Sequence, residues 1–281
     1  MTDAQSNNIR VFYDTMHWLI CDETLTDAVT ASRRNTILFP EKQSPALPEN
    51  PGYDTKITVS RMRSFEAAMK LREEYPSDRI AVHNFASATN PGGGVEHGSS
   101  AQEECLCRCS TLFPVLKKKE LFDKYYNFHR ERHDTLYTDA CIWSPDILVI
   151  KTDTRSPERM PVSNWCKVDV LTCAAPNLRE DPYNKMNPGS GRPAQISNDD
   201  LFMLHWHRAR HMLSIAAAQG DTVLVLGAFG CGAFCNPPEV VAKVYRTILP
   251  EFEGYFKRIE FAVYCNPVFT ENYQVFSSML G

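Results

Sequence analysis

The sequence has no long apolar run. Its 281 residues nowhere contain the roughly 20 consecutive apolar residues that a membrane-spanning helix needs. The first ten residues are polar and lack the apolar core of a signal peptide. The net charge of -4 shows no basic excess of the kind that nucleic-acid-binding surfaces carry. These absences predict a cytoplasmic protein with no membrane partner and no sequence-specific nucleic acid binding.

Recognisable metal motifs are also missing. The ten cysteines are scattered, and in a reducing compartment most are expected to be small buried side chains rather than a disulfide framework. Cys105, Cys107 and Cys109 alternate, so a helix would spread them over about 200° and could not aim all three at one ion. We therefore expect no metal and no other cofactor.

A second candidate for a metal site is the segment HWHRARH, in which His207 and His211 are spaced i, i+4. The glutamate of the H-E-x-x-H motif is absent, which excludes that class of metalloprotease. The neighbouring Arg208 and Arg210 indicate a solvated helix face.

Short apolar runs alternate with amphipathic segments along the chain. This order predicts an α/β fold with a mixed, mostly parallel sheet covered by helices on both faces. The predicted strands are 55–60, 79–85, 167–177, 222–229 and 258–265, with a hairpin over 141–150 because Pro145 and Asp146 interrupt two apolar runs. The predicted helices are 8–20, 64–75 with Ser64 as N-cap, 101–116, 121–129, 199–218 and 239–249, and the polar stretch 178–198 predicts a long, mobile loop.

Two glycine-rich loops each follow a predicted buried strand and precede a helix. The first contains Gly92, Gly93 and Gly94, and the second reads GAFGCGAF over residues 227–234. Neither is followed by the Lys-Ser/Thr of a P-loop, and the second lacks the third glycine of GxGxxG. At strand ends such loops can hold an anion through backbone N–H groups, although two tight turns would have the same composition. Amides of the second loop could lower the pKa of Cys231, but no His or Asp partner for a cysteine nucleophile can be identified from the sequence, so we do not expect one.

The triplet Gln102-Glu103-Glu104, which contains an acidic pair, follows the first loop after seven residues. Gln102, Glu103 and Glu104 lie at the predicted start of a helix, where carboxylates are electrostatically favoured, so capping is one interpretation. Adjacent helical residues point about 100° apart, so at most one carboxylate aims directly into a site at the glycine loop and the other braces the ligand from the side. The second interpretation is a catalytic carboxylate beside an anion-binding loop.

The combination GGG, seven residues, then QEE resembles the motif of poly(ADP-ribose) glycohydrolases. The segments NFASATNPGGG, CRCSTLFPVL, SPDILVI, VDVLTCAAPN and VLGAFGCGAFCNPP are similar to the microbial-type branch of that family, in order from about residue 10 to residue 265. The resemblance implies a three-layer α/β/α macrodomain with a mixed central sheet. We expect a single globular unit, with an N-terminal helical extension (1–60) packed on a macrodomain-like catalytic core (61–281).

The resemblance also implies the roles of individual residues. Glu104 would be the catalytic acid and then base, and Glu103 would bond the ribose hydroxyls and, as a like charge, help to raise the pKa of Glu104. Asn90 would orient the distal ribose, and both loops would hold the diphosphate. The expected substrate-binding residues are Asn90, Gly92, Gly93, Gly94, Gln102, Gly227, Phe229, Gly230, Cys231, Gly232, Ala233 and Phe234, with Phe234 packing against a sugar or base. By the same analogy, residues 32–40 would come near the adenine.

The function implied is hydrolysis of ribose–ribose bonds in poly(ADP-ribose), with ADP-ribose as product and the polymer or ADP-ribosylated macromolecules as partners. No counterpart of the tyrosine-bearing loop of the animal-type enzymes can be aligned, so trimming from the chain end is expected. Two alternatives stay open. One is a module that binds ADP-ribose without cleaving it, which would have no need of the glutamate pair. The other is a hydrolase of mono-ADP-ribosylated or O-acetylated ADP-ribose substrates.

Overall fold

A computed structural model describes residues 2–185, 188–189 and 191–281, and in it seven strands form one sheet. The order across the sheet is β1-β4-β5-β3-β6-β7-β2. The strands are β1 (Ile37–Phe39), β2 (Lys56–Ser60), β3 (Ile80–Phe85), β4 (Cys141–Val149), β5 (Cys166–Cys173), β6 (Val223–Leu226) and β7 (Arg258–Ala262).

The sheet is mixed, as predicted. Strands β5, β3, β6, β7 and β2 run parallel to one another. Strand β4 runs antiparallel to both β5 and β1. The carboxyl ends of five strands therefore meet at one edge of the sheet.

Helices of very different lengths cover the sheet. They are α1 (Asp3–Cys21), α2 (Glu23–Asn35), α3 (Ser64–Glu74), α4 (Gln102–Cys109), α5 (Leu112–Leu116), α6 (Lys119–Leu121), α7 (Phe128–Arg132), α8 (Asn198–Ala218), α9 (Pro238–Ile248) and α10 (Glu271–Leu280). A π-helical segment, Phe122–Asn127, connects α6 to α7, and 3-10 turns cover Val95–His97, Val162–Asn164 and Leu249–Phe252. No helix in the described ranges is both long and apolar enough to cross a membrane.

Alternation along β6 shows how the layers form. Val223 and Val225 pack into a cluster with α1, α3, α4 and α5 on one face of the sheet. Leu224 and Leu226 pack into a second cluster with α8, α9 and α10 on the other face. Each such side chain contributes about 1.5–3 kcal/mol by its burial. The three-layer α/β/α architecture is confirmed.

Several element predictions were wrong in detail. Residues 141–150 form one strand and not a hairpin, because Pro145 and Asp146 are accommodated in a bulge where the register shifts between Ser144 and Ile147. The predicted helix 101–116 breaks at Ser110, which pairs with Val149 in an isolated bridge.

Other corrections concern helix ends and missed elements. Arg63, not Ser64, occupies the N-cap position of α3, where the Glu66 carboxylate accepts a bond from the Arg63 N–H (3.0 Å). Elements α2, β1 and α10 were not predicted at all. The predicted loop 178–198 includes residues 186, 187 and 190, which lie outside the described residues.

The expected division at residue 60 stays a prediction. Strand β1 pairs with β4, and β2 pairs with β7 along its whole length. The central sheet thus includes strands from both sides of that boundary.

Candidate active site

Two glycine loops lie at the carboxyl ends of neighbouring parallel strands. The first glycine loop (residues 92–94) follows β3 and the second glycine loop (residues 227–234) follows β6, which pairs with β3. Phe234 of the second loop packs against a small cluster formed by Ala88, Tyr137 and Ala174. The structure thus brings both loops to the edge of the sheet where ligands of open α/β folds bind.

The first glycine loop is held directly against the acidic pair. Gly93 has a φ of +56°, and a Cβ at this position would lie 2.5 Å from Glu104 Oε1 and 3.2 Å from Glu103 Oε2. Gly92 has a φ of +73°, and its Cβ would lie 2.6 Å from the Phe113 ring. Only glycine satisfies both the left-handed backbone and the close approach.

Glu103 braces the loops. Its Oε1 accepts hydrogen bonds from the Gly92 N–H (3.2 Å) and from Asn84 Nδ2 (3.4 Å). Its Oε2 accepts from the Ser87 N–H (2.8 Å). Both carboxylate oxygens are therefore engaged by N–H donors of β3 and the loop that follows it.

Glu104 is bonded on one side only. Its Oε1 accepts from the Gly94 N–H (2.8 Å). Its Oε2 is buried and has no hydrogen-bond partner among the described residues, and the residue as a whole is only 7% exposed. A buried oxygen without a partner costs free energy, so this atom is a candidate for contact with a ligand or for holding a proton.

Burial dominates the electrostatics of the pair. It raises the pKa of Glu103 to about 8, with a further rise from the neighbouring Glu104 carboxylate. It also raises the pKa of Glu104, which the Gly94 N–H lowers in part. Both carboxyls approach Gly93, and the Glu104 carboxylate contributes to the raised pKa of Glu103. Both oxygens of Glu103 accept N–H bonds, whereas Glu104 Oε2 has no partner among the described residues, so Glu104 Oε2 is the oxygen free to exchange a proton with a ligand.

This arrangement predicts a pH-dependent stability. A carboxyl whose pKa is raised in the folded protein stabilises the fold below its unfolded pKa, and that contribution is lost as the pH rises through about 8. The free energy of unfolding should fall from about pH 4.5 to about pH 8, by at most about 1.4 kcal/mol per pH unit for one proton, and level off above pH 8. In urea unfolding, Glu103→Gln should flatten this slope and the exposed Glu96→Gln should not. If the free energy of unfolding of Glu103→Gln kept the wild-type dependence on pH, the raised pKa of Glu103 would be contradicted.

Gln102 and Asn90 are occupied within the protein. The Gln102 amide accepts from the Phe85 N–H (2.9 Å) and donates to the His83 carbonyl (2.7 Å) and to Ser64 Oγ (3.0 Å). Gln102 thus ties α4 to the end of β3. Asn90 Nδ2 donates to the Gly93 carbonyl. The expected ligand contacts of both side chains stay predictions.

The second glycine loop has unpaired amides. Among the described residues, the backbone N–H groups of Gly232, Ala233 and Phe234 have no hydrogen-bond acceptor. A Cβ on Gly232 would meet nothing within 4 Å, so the backbone here faces open space. Gly227 lies against the end of β7, where a Cβ would approach the Ala262 carbonyl oxygen to 2.7 Å. The unpaired N–H groups can accept an anion.

Three expected residues of this loop differ in their surroundings. The Phe229 ring lies in the core, 4.4 Å from the His83 ring, whereas Phe234 is half-buried with its ring 6.2 Å from that of Tyr137. Burial raises the pKa of the Cys231 thiol, which agrees with setting aside a cysteine nucleophile in this loop. Cys231 is therefore not an activated nucleophile.

Asn236 is a site residue that the sequence interpretation missed. Its Nδ2 donates to the carbonyls of Pro176 (2.7 Å), Gly230 (3.1 Å) and Phe234 (3.2 Å), and its Oδ1 bonds His205 Nε2 (2.8 Å). It thereby fastens the second glycine loop to the loop after β5. The only sequence signal was an asparagine directly before two prolines at a helix start.

Arg208 was wrongly placed on a solvated face. It is only 2% exposed, and its guanidinium donates to the carbonyls of Ala174 (2.9 Å), Leu204 (3.1 Å) and Leu136. Carbonyl acceptors rather than a carboxylate compensate its burial. Arg208 therefore supports the two loops that flank Phe234.

The alternating cysteines pack as expected. Cys107 and Cys109 are buried in the core, while Cys105 Sγ lies 3.1 Å from Arg108 Nη2. His211 Nδ1 bonds Ser44 Oγ (2.8 Å), and His207 is exposed. Within the described part of the chain, no three His, Cys, Asp or Glu side chains are grouped to hold a metal.

Comparison with known proteins identifies similar chains. Residues 19–152 match the family described as microbial-type poly(ADP-ribose) glycohydrolase (PARG), catalytic domain. The X-ray structure of PARG from Thermomonospora curvata is 28% identical, with a TM-score of 0.82, over 97% of this chain and 99% of that one. No curated protein sequence gives a significant match.

Two solved complexes are also similar. The PARG from Deinococcus radiodurans in complex with ADP-ribose is 34% identical, with a TM-score of 0.76, over 89% of this chain and 96% of that one. The Thermomonospora curvata enzyme bound to the inhibitor ADP-HPD is 29% identical, with a TM-score of 0.78, over 97% of this chain and 99% of that one.

Proposed function

The chain belongs to the microbial-type poly(ADP-ribose) glycohydrolase family and is a glycosidase of poly(ADP-ribose), and from this premise we propose that Glu104 is its general acid and base. One observation carries this assignment. Glu104 Oε2 is buried and unpartnered, and the other oxygen of the same carboxyl group lies against Gly93 of the first glycine loop. The other three carboxylate oxygens of Glu103 and Glu104 each accept at least one hydrogen bond.

The diphosphate of the substrate lies, in this proposal, between the two glycine loops. The unpaired N–H groups of Gly232, Ala233 and Phe234 support this position because they offer donors without requiring a counter-charge. Gly93 and Gly94 face the ligand from the other side. The distal ribose then lies beside Asn90 and the acidic pair.

The reaction begins with protonated Glu104. As the bond from the anomeric carbon to the departing ribose oxygen breaks, Glu104 Oε2 gives its proton to that oxygen. An oxocarbenium-like cation develops, and the nearby diphosphate stabilises it. Ionised Glu104 then takes a proton from the water that adds its oxygen to the anomeric carbon. The products are free ADP-ribose and a polymer shortened by one unit.

Glu103 has a different task. Its two oxygens already accept three N–H bonds from the surrounding loops. We assign it to holding the first glycine loop and, with its remaining lone pairs, to accepting a ribose hydroxyl. Its burial beside Glu104 also favours one shared proton on the pair at neutral pH.

The adenine is placed on the loop that follows β7. Tyr264 and Phe269 of this loop are exposed, Phe269 by 75%, and β7 adjoins β6. Exposed rings at this edge suit stacking with a base. This placement differs from the expectation for residues 32–40, which stays a prediction; β1 of that segment lies at the opposite edge of the sheet, beyond β4 and β5.

Cleavage proceeds mainly from the chain end in this proposal, because no tyrosine-bearing clasp aligns with the sequence. We also assign the enzyme to the cytoplasm, in keeping with ten cysteines that are all free. Poly(ADP-ribose) or macromolecules that carry it are the partners.

A release assay tests the function and its alternatives. The protein should release free ADP-ribose from purified poly(ADP-ribose), detected by liquid chromatography with mass spectrometry. Release from mono-ADP-ribosylated protein or from O-acetylated ADP-ribose, with the polymer left intact, would favour the second alternative. Tight ADP-ribose binding without any product would favour the binding module and contradict the proposal.

A further inference from the structure

A wide groove lies beside the candidate active site. Its volume is about 710 Å³, within the 300–1,000 Å³ of sites that hold a drug-sized ligand. Residues 133–136 line one side, and the other side is formed by Gly191, Arg192, Ala194 and Gln195. We call it the arginine groove. The mechanism above uses none of these residues.

Direct contacts join the arginine groove to the catalytic loops. Arg130, in the helix just before the groove wall, donates from Nε to the Thr89 carbonyl (2.6 Å), one residue before Asn90. Thr135 in the wall accepts at its carbonyl from the Asn177 N–H (2.8 Å). Tyr137, which directly follows the wall, has its ring 6.2 Å from that of Phe234 in the second glycine loop, so the groove lies next to the place expected for the distal ribose.

The charges around the groove suit an anion. Among the described residues, neither Arg130 nor Arg192 forms an ion pair, and Arg192 is exposed. Arg132 is paired with Glu41 (3.5 Å). The acidic side chain in the wall, Asp134, accepts from the Leu136 N–H (2.9 Å). Arg192 thus lies in the groove without a carboxylate partner, and Arg130 lies in the helix just before the groove wall, also without one.

The proposed orientation of the substrate also leads to the arginine groove. If the adenine lies at β7 and the distal ribose at α4, the departing ribose leaves the site on the side away from β7. On that side lies β5, and Thr135 of the groove wall accepts at its carbonyl from the N–H of Asn177 in the loop after β5. A polymer carries the next diphosphate on this departing unit.

We propose that the arginine groove is the subsite for the leaving unit of the polymer, with Arg130 and Arg192 contacting its diphosphate. This inference rests on the proposed function. It deepens it by assigning a second ADP-ribose unit to a defined surface. The groove then selects a polymer end over a single ADP-ribosyl group, because only the polymer supplies a second diphosphate.

The test compares two substrates. One is poly(ADP-ribose), and the other is a one-unit substrate, ADP-ribose linked through the distal ribose to p-nitrophenol, which has no second diphosphate. Arg192→Ala should raise KM for the polymer about three- to tenfold, the range expected for an exposed charge contact. It should leave KM and kcat for the one-unit substrate unchanged. Arg192→Lys should restore most of the polymer affinity.

Arg155→Ala is the matched control, because Arg155 is an exposed arginine outside the groove and the glycine loops. It should behave as wild type with both substrates. If Arg192→Ala changes neither substrate, or both equally, the subsite proposal is overturned while the proposed function stands. If the wild-type protein cleaves neither substrate, the proposed function fails and the subsite proposal fails with it.

Discussion

Glu104→Gln should lose ADP-ribose release by about 10²–10⁴-fold, the range that a positioned general acid contributes. The amide has nearly the same shape and can still accept the Gly94 N–H bond at Oε1. It cannot give up an acidic proton from the position of Oε2. Binding of ADP-ribose, measured by titration calorimetry, should change little, because the diphosphate is held by backbone N–H groups.

Glu96→Gln is the matched control for this variant. Glu96 lies in the 3-10 turn after the first glycine loop, but its side chain is exposed and paired with Lys117 (3.5 Å). Its release rate should equal that of wild type. Near-normal turnover in Glu104→Gln would remove Glu104 from the mechanism, whereas loss of binding together with turnover would make its role one of structure.

Gly93→Ala should be the second most damaging change. Its φ of +56° disfavours any side chain, and the new Cβ would lie 2.5 Å from Glu104 Oε1. The carboxylate must move away, and misplacement of about 1 Å can cost 10²-fold in rate. Strain in the left-handed region adds a loss of about 1–3 kcal/mol in the free energy of unfolding. Both are measurable, by initial rates and by urea unfolding.

Gly232→Ala separates ligand contact from folding. A Cβ there meets nothing within 4 Å, so the free energy of unfolding should stay at the wild-type value. Its methyl group would cover the unpaired amides of the second glycine loop, so KM should rise while kcat changes less.

A Gly93→Ala protein with wild-type rate would show that the approach of the glycine loop to the carboxylates is not needed.

The strands and the glycine loops could be predicted from the sequence because the patterns that indicate them are local. Buried strands such as β3 and β6 are short apolar runs that end at glycine or turn residues. The acidic pair could be recognised because Glu103 and Glu104 follow the glycines at a short, defined distance along the sequence. By contrast, a Pro145-Asp146 pair between two apolar runs is compatible with a hairpin turn and with a bulge inside one strand, so the sequence alone could not distinguish the two. The Asp146 N–H finds its acceptor on Asp169 (2.8 Å), in a different strand.

The remaining site residues depend on tertiary contacts. Arg208 reads as a surface residue because nothing local shows that three backbone carbonyls surround its guanidinium. Asn236 gains its role only when the loops after β5 and β6 come together. Gln102 lies in the recognised motif, yet its amide connects α4 to β3.

The most direct test of proton donation by Glu104 compares leaving groups. Departure of a ribose oxygen needs a proton, whereas p-nitrophenolate leaves readily without one. The ratio of wild-type to Glu104→Gln rates should therefore be at least about tenfold larger for poly(ADP-ribose) than for the one-unit p-nitrophenyl substrate. Equal ratios for the two substrates would contradict general acid catalysis by Glu104.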